Sequence, residues 1–407
     1  MGEIRHPGGP MVCVVGARPN YMKMAPLLRA FARDPRLPGA VLVHTGQHYD
    51  LAMNERLFAD LELPAPDLNL EVGSGTHAVQ TAEVMRRFEP VVDDLDPCCV
   101  IVVGDVNSTL ACTLVAVKKR VPVAHVEAGL RSFDRDMPEE INRVLTDQVA
   151  DLLYTTEREA ADNLAREGIE PSRVQFVGNV MIDSLVAHRA RATPPAKTLA
   201  AAGVDPARML GERGFGVVTL HRPSNVDSPD ALDESIALVS EAAAHLPLVW
   251  PLHPRTRANL ERCGFMPRLA AAPIAVLEPQ GYLEMLGLLA HAALVLTDSG
   301  GIQEETTALA VPCLTMRENT ERPITVTQGT NTLVGRDRAL AADAIADILM
   351  HGGKRGRVPE LWDGHAADRI AQHLAGWLSR DGAGAAAVPA PIGQMHVGRA
   401  RAGSARG

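Results

Sequence analysis

One pattern limits how this chain can fold more than any other. Short apolar runs end in polar or glycine-containing loops, and the loops open stretches of helical periodicity. Met11–Val15 ends in Gly16-Ala17-Arg18-Pro19, and from Asn20 a helical face carries Met24, Leu27, Leu28 and Phe31. Pro26 is expected to kink that helix, because it removes a donor inside it. The alternation continues through Val41–His44, Cys98–Val103, Val121–Ala124, Leu152–Thr155 and Val174–Val177. It starts again at Phe215–Leu220, Pro247–Pro251, Ile274–Leu277, Leu294–Leu296 and Pro312–Met316. Strands that alternate with helices pair in parallel and are covered on both faces. Two such series predict an α/β chain of two Rossmann-like, doubly wound domains facing a cleft.

Boundaries follow from the breaks in the pattern. Residues 1–190 are expected to form the first domain and 208–358 the second. The Ala-, Pro- and Arg-rich stretch near 188–211 reads as their connection. A helix over about Ala366–Leu378, inside a 359–380 segment, is expected to pack back on the first domain. Residues 381–407 are rich in Ala, Gly and Pro and read as a disordered tail.

Ligands of open α/β sheets bind beyond the C-terminal ends of the strands, so chemistry is sought in the loops there. The stretch His125–Arg143 concentrates ionisable groups after the run Val121–Ala124. Glu127 is expected just past that strand. Pro138, Glu139 and Glu140 suit the first turn of a helix, so a well-capped surface helix is the alternative reading. Asp105 follows another strand and reads either as a cleft residue or as a helix N-cap. Arg18 and Lys23 sit where a helix start favours an anion, or form a solvated basic pair. In Thr297–Glu305 a strand feeds Ser299-Gly300-Gly301 into a helix, with Glu304 and Glu305 expected in its first turn. Missing side chains let a phosphate reach backbone N–H groups, and a following acid could accept the hydroxyls of a ribose. His221, Arg222 and His253 lie at neighbouring strand ends. The first turn lacks GxGxxG, so a dinucleotide fingerprint is absent. His44 and His48 have no partner at metal spacing.

Composition excludes other classes. Aromatic residues are 3% and the formal net charge is −9, a poor match to a nucleic-acid or anionic-membrane binder. No apolar run is long enough to span a bilayer, and Met11–Val15 is too short for a signal core. The six cysteines show no CxxC spacing and read as buried reduced thiols, which suggests the cytoplasm.

Several motifs carry a resemblance. They are GARPNYMKMAPL (16–27), TGQHYD (45–50), GDVNSTLA (104–111), HVEAGLRS with MPEEINR (125–143), HRPSNVD (221–227), TDSGGIQEE (297–305), RENTERPITVTQGTN (317–331) and WDGHAADRI (362–370). On these the chain resembles the non-hydrolysing UDP-N-acetylglucosamine 2-epimerases over about residues 11–375. The resemblance implies a GT-B glycosyltransferase-like fold with the nucleotide held mainly by the second domain. It implies interconversion of UDP-GlcNAc and UDP-ManNAc through elimination of UDP to 2-acetamidoglucal and re-addition, with neither cofactor nor metal. It further implies a homodimer that supplies surface-polysaccharide precursors. By resemblance, Asp105, Glu127 and Glu139 are the acid/base set, and Arg18, Lys23 and His221 lie near the diphosphate and reaction centre. Ser299, Gly300 and Gly301 form the phosphate cradle and Glu305 the ribose ligand. Arg143, His253, Gln280 and Arg322 complete the substrate contacts.

Departures from the family pattern accompany the matches. Ser224 stands where the family often has Glu. Gln47, Arg222 and His253 match a second substrate site of regulated members, but Asp50 replaces a Gln and residues 73–77 contain no Arg. Rival readings are a 2-epimerase of UDP-2,3-diacetamido-2,3-dideoxyglucuronate, with Arg131 and Arg135 as carboxylate partners, a hydrolysing epimerase, a glycosyltransferase of this fold and a catalytically silent UDP-sugar sensor.

Overall fold

The structure, a computed structural model, describes residues 8–46, 51–211 and 214–380. Among these residues the strands form two wholly parallel sheets. The first contains β1 (Met11–Val15), β2 (Ala40–His44), β3 (Leu68–Asn69), β4 (Cys99–Val103), β5 (Val123–Ala128), β6 (Leu152–Thr155) and β7 (Val174–Phe176), in the order β3-β2-β1-β4-β5-β6-β7. The second contains β8 (Gly216–Thr219), β9 (Leu248–Pro251), β10 (Ile274–Leu277), β11 (Leu294–Thr297), β12 (Cys313–Thr315) and β13 (Asn331–Leu333), in the order β10-β9-β8-β11-β12-β13. Both orders reverse direction at a central strand. That reversal opens a crevice beyond the strand ends, and the two crevices face each other in a GT-B-like arrangement.

The apolar runs are continuous because both faces of each sheet are covered. Along β1, Met11, Cys13 and Val15 pack into one core, while Val12 and Val14 pack into the core on the opposite face. In the second sheet Leu248 and Trp250 enter one core and Val249 the other. Cys13, Cys98, Cys99, Cys112 and Cys313 are buried and Cys263 half-buried, all as free thiols. No helix among the described residues is long and apolar enough to cross a membrane.

The structure departs from sequence expectation in instructive places. The helix Arg18–Arg33 runs unbroken through Pro26. Pro26 cannot donate to the Met22 carbonyl one turn back, and the Ser184 hydroxyl does so instead. The strand expected at Val121–Ala124 lies at Val123–Ala128 and contains Glu127. The helix Val180–His188 occupies a stretch for which the sequence pattern predicts no element, just before the connection. Strand β13 and the helix Arg338–His351 were not anticipated.

Helix Ala366–Arg380 packs on Arg18–Arg33 through Ile370, Leu374 and Leu378. The Asp183 carboxylate accepts the N–H groups of Ala366 (3.1 Å) and Ala367 (2.7 Å). Trp362 Nε1 donates to the Thr156 carbonyl at 3.0 Å. The chain thus returns to the first sheet after completing the second. The terminal tail, Gln47, His48 and Asp50 lie outside the described residues.

Candidate active site

One wall of the cleft grows from the ends of β1, β4 and β5. Asn20 sets the first turn. Its Oδ1 accepts from the N–H groups of Gly16 and Ala17, and its Nδ2 donates to the Val103 carbonyl, each at 3.0 Å. The helix bearing Arg18 and Lys23 is thereby tied to the end of β4. Lys23 is buried and crosses above Gly104. A Cβ on Gly104 would stand 3.1 Å from the Lys23 Nζ, and its φ of +67° also favours glycine.

Glu127 is the strained residue of this wall. The register of β5 against β6 shifts between Val126 and Ala128, so Glu127 is the bulged residue, with φ at +72°. Left-handed backbone at a residue with a Cβ costs about 1–2 kcal/mol. Bulges re-aim side chains beside active sites, and here the carboxylate turns into the cleft. It is paired with Lys23 and with Arg322 Nη2 (2.5 Å) from the opposite wall. Asp105 pairs with Arg143 at 2.7 Å. Burial alone would raise its pKa, but Arg143, Lys23 and Arg322 outweigh that and hold it below the usual carboxylate range. Asp105 does not cap the following helix, whose N-cap is Val106.

The two glutamates after Pro138 divide their roles. Glu140 is buried and shapes the preceding loop, accepting from Ser132 N (3.0 Å), Ser132 Oγ (3.0 Å) and Phe133 N (2.9 Å), and pairing with Arg143 (2.7 Å). Glu139 is half-buried and has no hydrogen-bond or ion partner among the described residues.

The facing wall is built on the ends of β8 and β11. Buried Asp298 accepts from the backbone N–H of His221 (3.1 and 3.0 Å) and of Arg222 (2.9 Å), and from Asn225 Nδ2 (3.1 Å). Its carboxylate also meets His221 Nδ1 at 3.1 Å. This fixes the loop after β8 against β11. The His221 and His253 rings lie 5.6 Å apart. Burial, with His221, Arg18 and Arg255 nearby, pushes His253 down to about 4, so its ring is neutral at pH 7. Arg18 reaches across the cleft and donates to the Gln280 carbonyl at 3.2 Å.

Arg322 joins the walls. It is buried and pairs with Glu127, Glu304 (2.9 Å) and Glu321 (2.6 Å). Glu304 also accepts from Asn179 Nδ2 at 2.9 Å. Burial pushes Glu304 up to about 7 against the pull of Arg322, with Glu127 adding to the rise. Ser299 is the N-cap of the helix Gly300–Leu309. A side chain at Gly300 would collide with Glu321 and Arg322, and one at Gly301 would meet the Met181 methyl at 3.1 Å. Glu304 and Glu305 fall in the second turn of this helix, not the first. Glu305 is buried beside the Tyr282 hydroxyl. Burial pushes it up to about 7 against the pull of that hydroxyl.

The family model for UDP-N-acetylglucosamine 2-epimerase matches residues 30–375. The chain belongs to this family. The epimerase is 40% identical over 377 residues to the UDP-2,3-diacetamido-2,3-dideoxy-D-glucuronate 2-epimerase of Pseudomonas aeruginosa, covering 90% of this chain and 99% of that protein. It is 39% identical over 364 residues to the UDP-N-acetylglucosamine 2-epimerase of Methanocaldococcus jannaschii, covering 89% of this chain and 97% of that one. The crystal structure of the M. jannaschii UDP-GlcNAc 2-epimerase in complex with UDP-GlcNAc and UDP superposes with a TM-score of 0.82 at 38% identity, over 90% of this chain and 99% of that chain.

In this epimerase Lys23, Glu127 and Arg322 form one chain of ion pairs, Asp105 pairs with Arg143 and Arg18 with the Gln280 carbonyl. Glu139, on the helix that carries Arg143, has no partner among the described residues. His221 and His253 lie side by side on the facing wall with their rings tilted by 37°, and Ser299, Gly300, Gly301 and Glu305 lie along the first turns of one helix. Arg131 cannot serve a substrate carboxylate. It is buried and paired with Asp147 (2.8 Å) and Glu167 (2.7 Å). Sequence reasoning gave no place to Asp298 or Glu321, and none to Glu304 as a partner of Arg322. Asp298 does carry a signal, an acid at a strand end directly before Ser-Gly-Gly. Glu321 and Glu304 carry none, since only the folded cleft places them around one arginine.

Proposed function

We propose that this epimerase interconverts UDP-GlcNAc and UDP-ManNAc by eliminating UDP across C1–C2 and adding it back. The observation that carries the reading is the set of carboxylates, Asp105, Glu127 and Glu139, gathered on one wall with Arg18 and Lys23 and met by Arg322 from the other. The C2 hydrogen has no adjacent carbonyl to acidify it. As the C1–O bond to UDP lengthens, C1 becomes electron-poor and the C2 proton can leave to a carboxylate. The C1=C2 bond of 2-acetamidoglucal forms as UDP departs with the bonding pair. On return, a proton reaches C2 from the opposite face and the UDP oxygen rebuilds the bond to C1. Two faces must be served, so more than one carboxylate is required.

Each group has a part that fits its surroundings. A diphosphate would recruit Lys23, Arg18 and Arg322 as charge partners, and the Glu127 carboxylate would then exchange those cations for the sugar ring. Asp105, held ionised by Arg143, can stabilise positive charge at C1. Glu139, without a partner, is available to carry a proton. His221, oriented by Asp298, can donate to the leaving phosphate. Glu305, buried and easily protonated, suits the hydroxyls of a ribose. Proton NMR of purified protein with UDP-GlcNAc in D₂O tests this reading, with UDP-ManNAc deuterated at C2 as the expected product.

A second reading, inversion of a UDP-diacetamido uronate, is favoured by the similarity to the P. aeruginosa enzyme. With Arg131 spent inside the protein, exposed Arg135 is the remaining partner named for a uronate carboxylate. The two readings separate by the ratio of kcat/KM on the two substrates and by its change in Arg135→Ala. A loss confined to the uronate would support the second.

A further inference from the structure

Building on the epimerase reading, we propose that buried His125 is a positioning residue that fixes the Asp105 and Glu127 backbones relative to each other. His125 lies on β5, where it pairs in register with Val102 of β4. Its Nε2 donates to the Gly104 carbonyl at 2.7 Å, one peptide before Asp105. Its Nδ1 meets Asp147 Oδ1 at 2.6 Å. The other Asp147 oxygen accepts from Gly129 N at 3.0 Å and from Arg131 at 2.8 Å. One imidazole and one carboxylate therefore connect the peptide before Asp105 to the peptide two residues past Glu127.

The connection sits where the backbone is least regular. Gly104, Glu127 and Gly129 all have left-handed φ, at +67°, +72° and +79°. Gly129 has no room for a side chain, since a Cβ would stand 2.6 Å from the Ala160 carbonyl oxygen. Regular pairing ends with Val103 opposite Val126 and a bond from Gly104 N to the Val126 carbonyl at 3.0 Å, and the side-chain strut carries the connection past that point. A carbonyl only accepts, so Nε2 carries a hydrogen. Asp147 accepts from Gly129 and Arg131 through one oxygen and faces Nδ1 with the other, so the ring is held between two fixed partners. Burial works against ionised Asp147, but His125 and Arg131 outweigh it and keep its pKa below the usual range.

The test compares His125→Gln with His125→Asn in the full chain. Gln reaches Gly104 with a donor, whereas Asn reaches Asp147 and leaves Gly104 free. Misplacing a reacting group by about 1 Å costs about 10²-fold in rate. The expected result is a kcat lower by about 10²-fold in His125→Asn and by about tenfold in His125→Gln, with UDP affinity in both within about threefold of wild type. Wild-type kcat in folded His125→Asn would overturn the proposal. So would equal losses of kcat and UDP affinity that track a lowered melting temperature. A measurement on wild type stands if neither variant folds. A ¹⁵N spectrum should show a downfield proton on His125 Nε2, and an unprotonated Nε2 would overturn it. Wild-type protein inactive on both UDP sugars would defeat the epimerisation reading while leaving the ¹⁵N result to decide the strut.

Discussion

Glu127 concentrates the argument at the scale of single residues. It combines a left-handed backbone, near-complete burial and two cationic partners. Such strain persists only where surrounding contacts over-determine it. Glu127→Gln keeps the shape and removes the charge. The expected outcome is UDP binding near the wild-type level by calorimetry, with turnover lower by about 10²–10⁴-fold. Near-normal turnover would remove Glu127 from the chemistry. Buried acids also set a pH dependence. Burial raises Glu157 to about 8, helped by Glu304 and Glu159, and raises Glu304 and Glu305 to about 7. In the unfolded chain these groups are ionised above about pH 4.3. The folded state therefore holds more protons than the unfolded state between that pH and 7–8, and stability falls as pH rises through that window. The depressed acids, Asp105, Asp147, Asp298 and Glu321, act only at lower pH. Melting temperature should drop between pH 6.5 and 8.5, and a rise over that range would contradict these assignments.

Elements carry the site because short strands end where the chemistry begins. The parallel sheets and most of their helices are legible in the sequence, since a run such as Met11–Val15 can only be buried on both faces. The bulge at Glu127 is not legible, because a register shift depends on the neighbouring strand β6. The role of Glu140 is also hidden, since nothing in Pro138-Glu139-Glu140 says which acid turns back onto Ser132. Helix Arg338–His351 had readable signals, an Asp337 cap accepting from Leu340 N and a left-handed Gly352 at its end. The Asp183 cap was not readable, because it joins residues far apart in the chain. Losing a helix cap costs about 0.5–2 kcal/mol. Asp183→Ala should therefore lower the melting temperature and speed hydrogen exchange at 366–378. Unchanged exchange there would show that Trp362 and the apolar contacts hold this helix alone.

At the scale of the whole molecule, the two sheets meet through charge as well as through apolar packing. Arg322 binds acids from both walls, and Arg18 reaches the Gln280 carbonyl. Removing one partner of a buried ionic group leaves uncompensated charge, at a cost of about 3–5 kcal/mol. Arg322→Ala should lower the melting temperature and weaken UDP-sugar binding together. A variant that kept full affinity would place the nucleotide away from Arg322. The central claim is that this cleft inverts C2 through loss and return of its proton. It is tested most directly by incubating the purified protein with UDP-GlcNAc in D₂O and following the sugar by proton NMR. The account predicts UDP-ManNAc carrying deuterium at C2, in equilibrium with similarly labelled UDP-GlcNAc. Inversion without deuterium at C2, or release of free ManNAc and UDP, would contradict it.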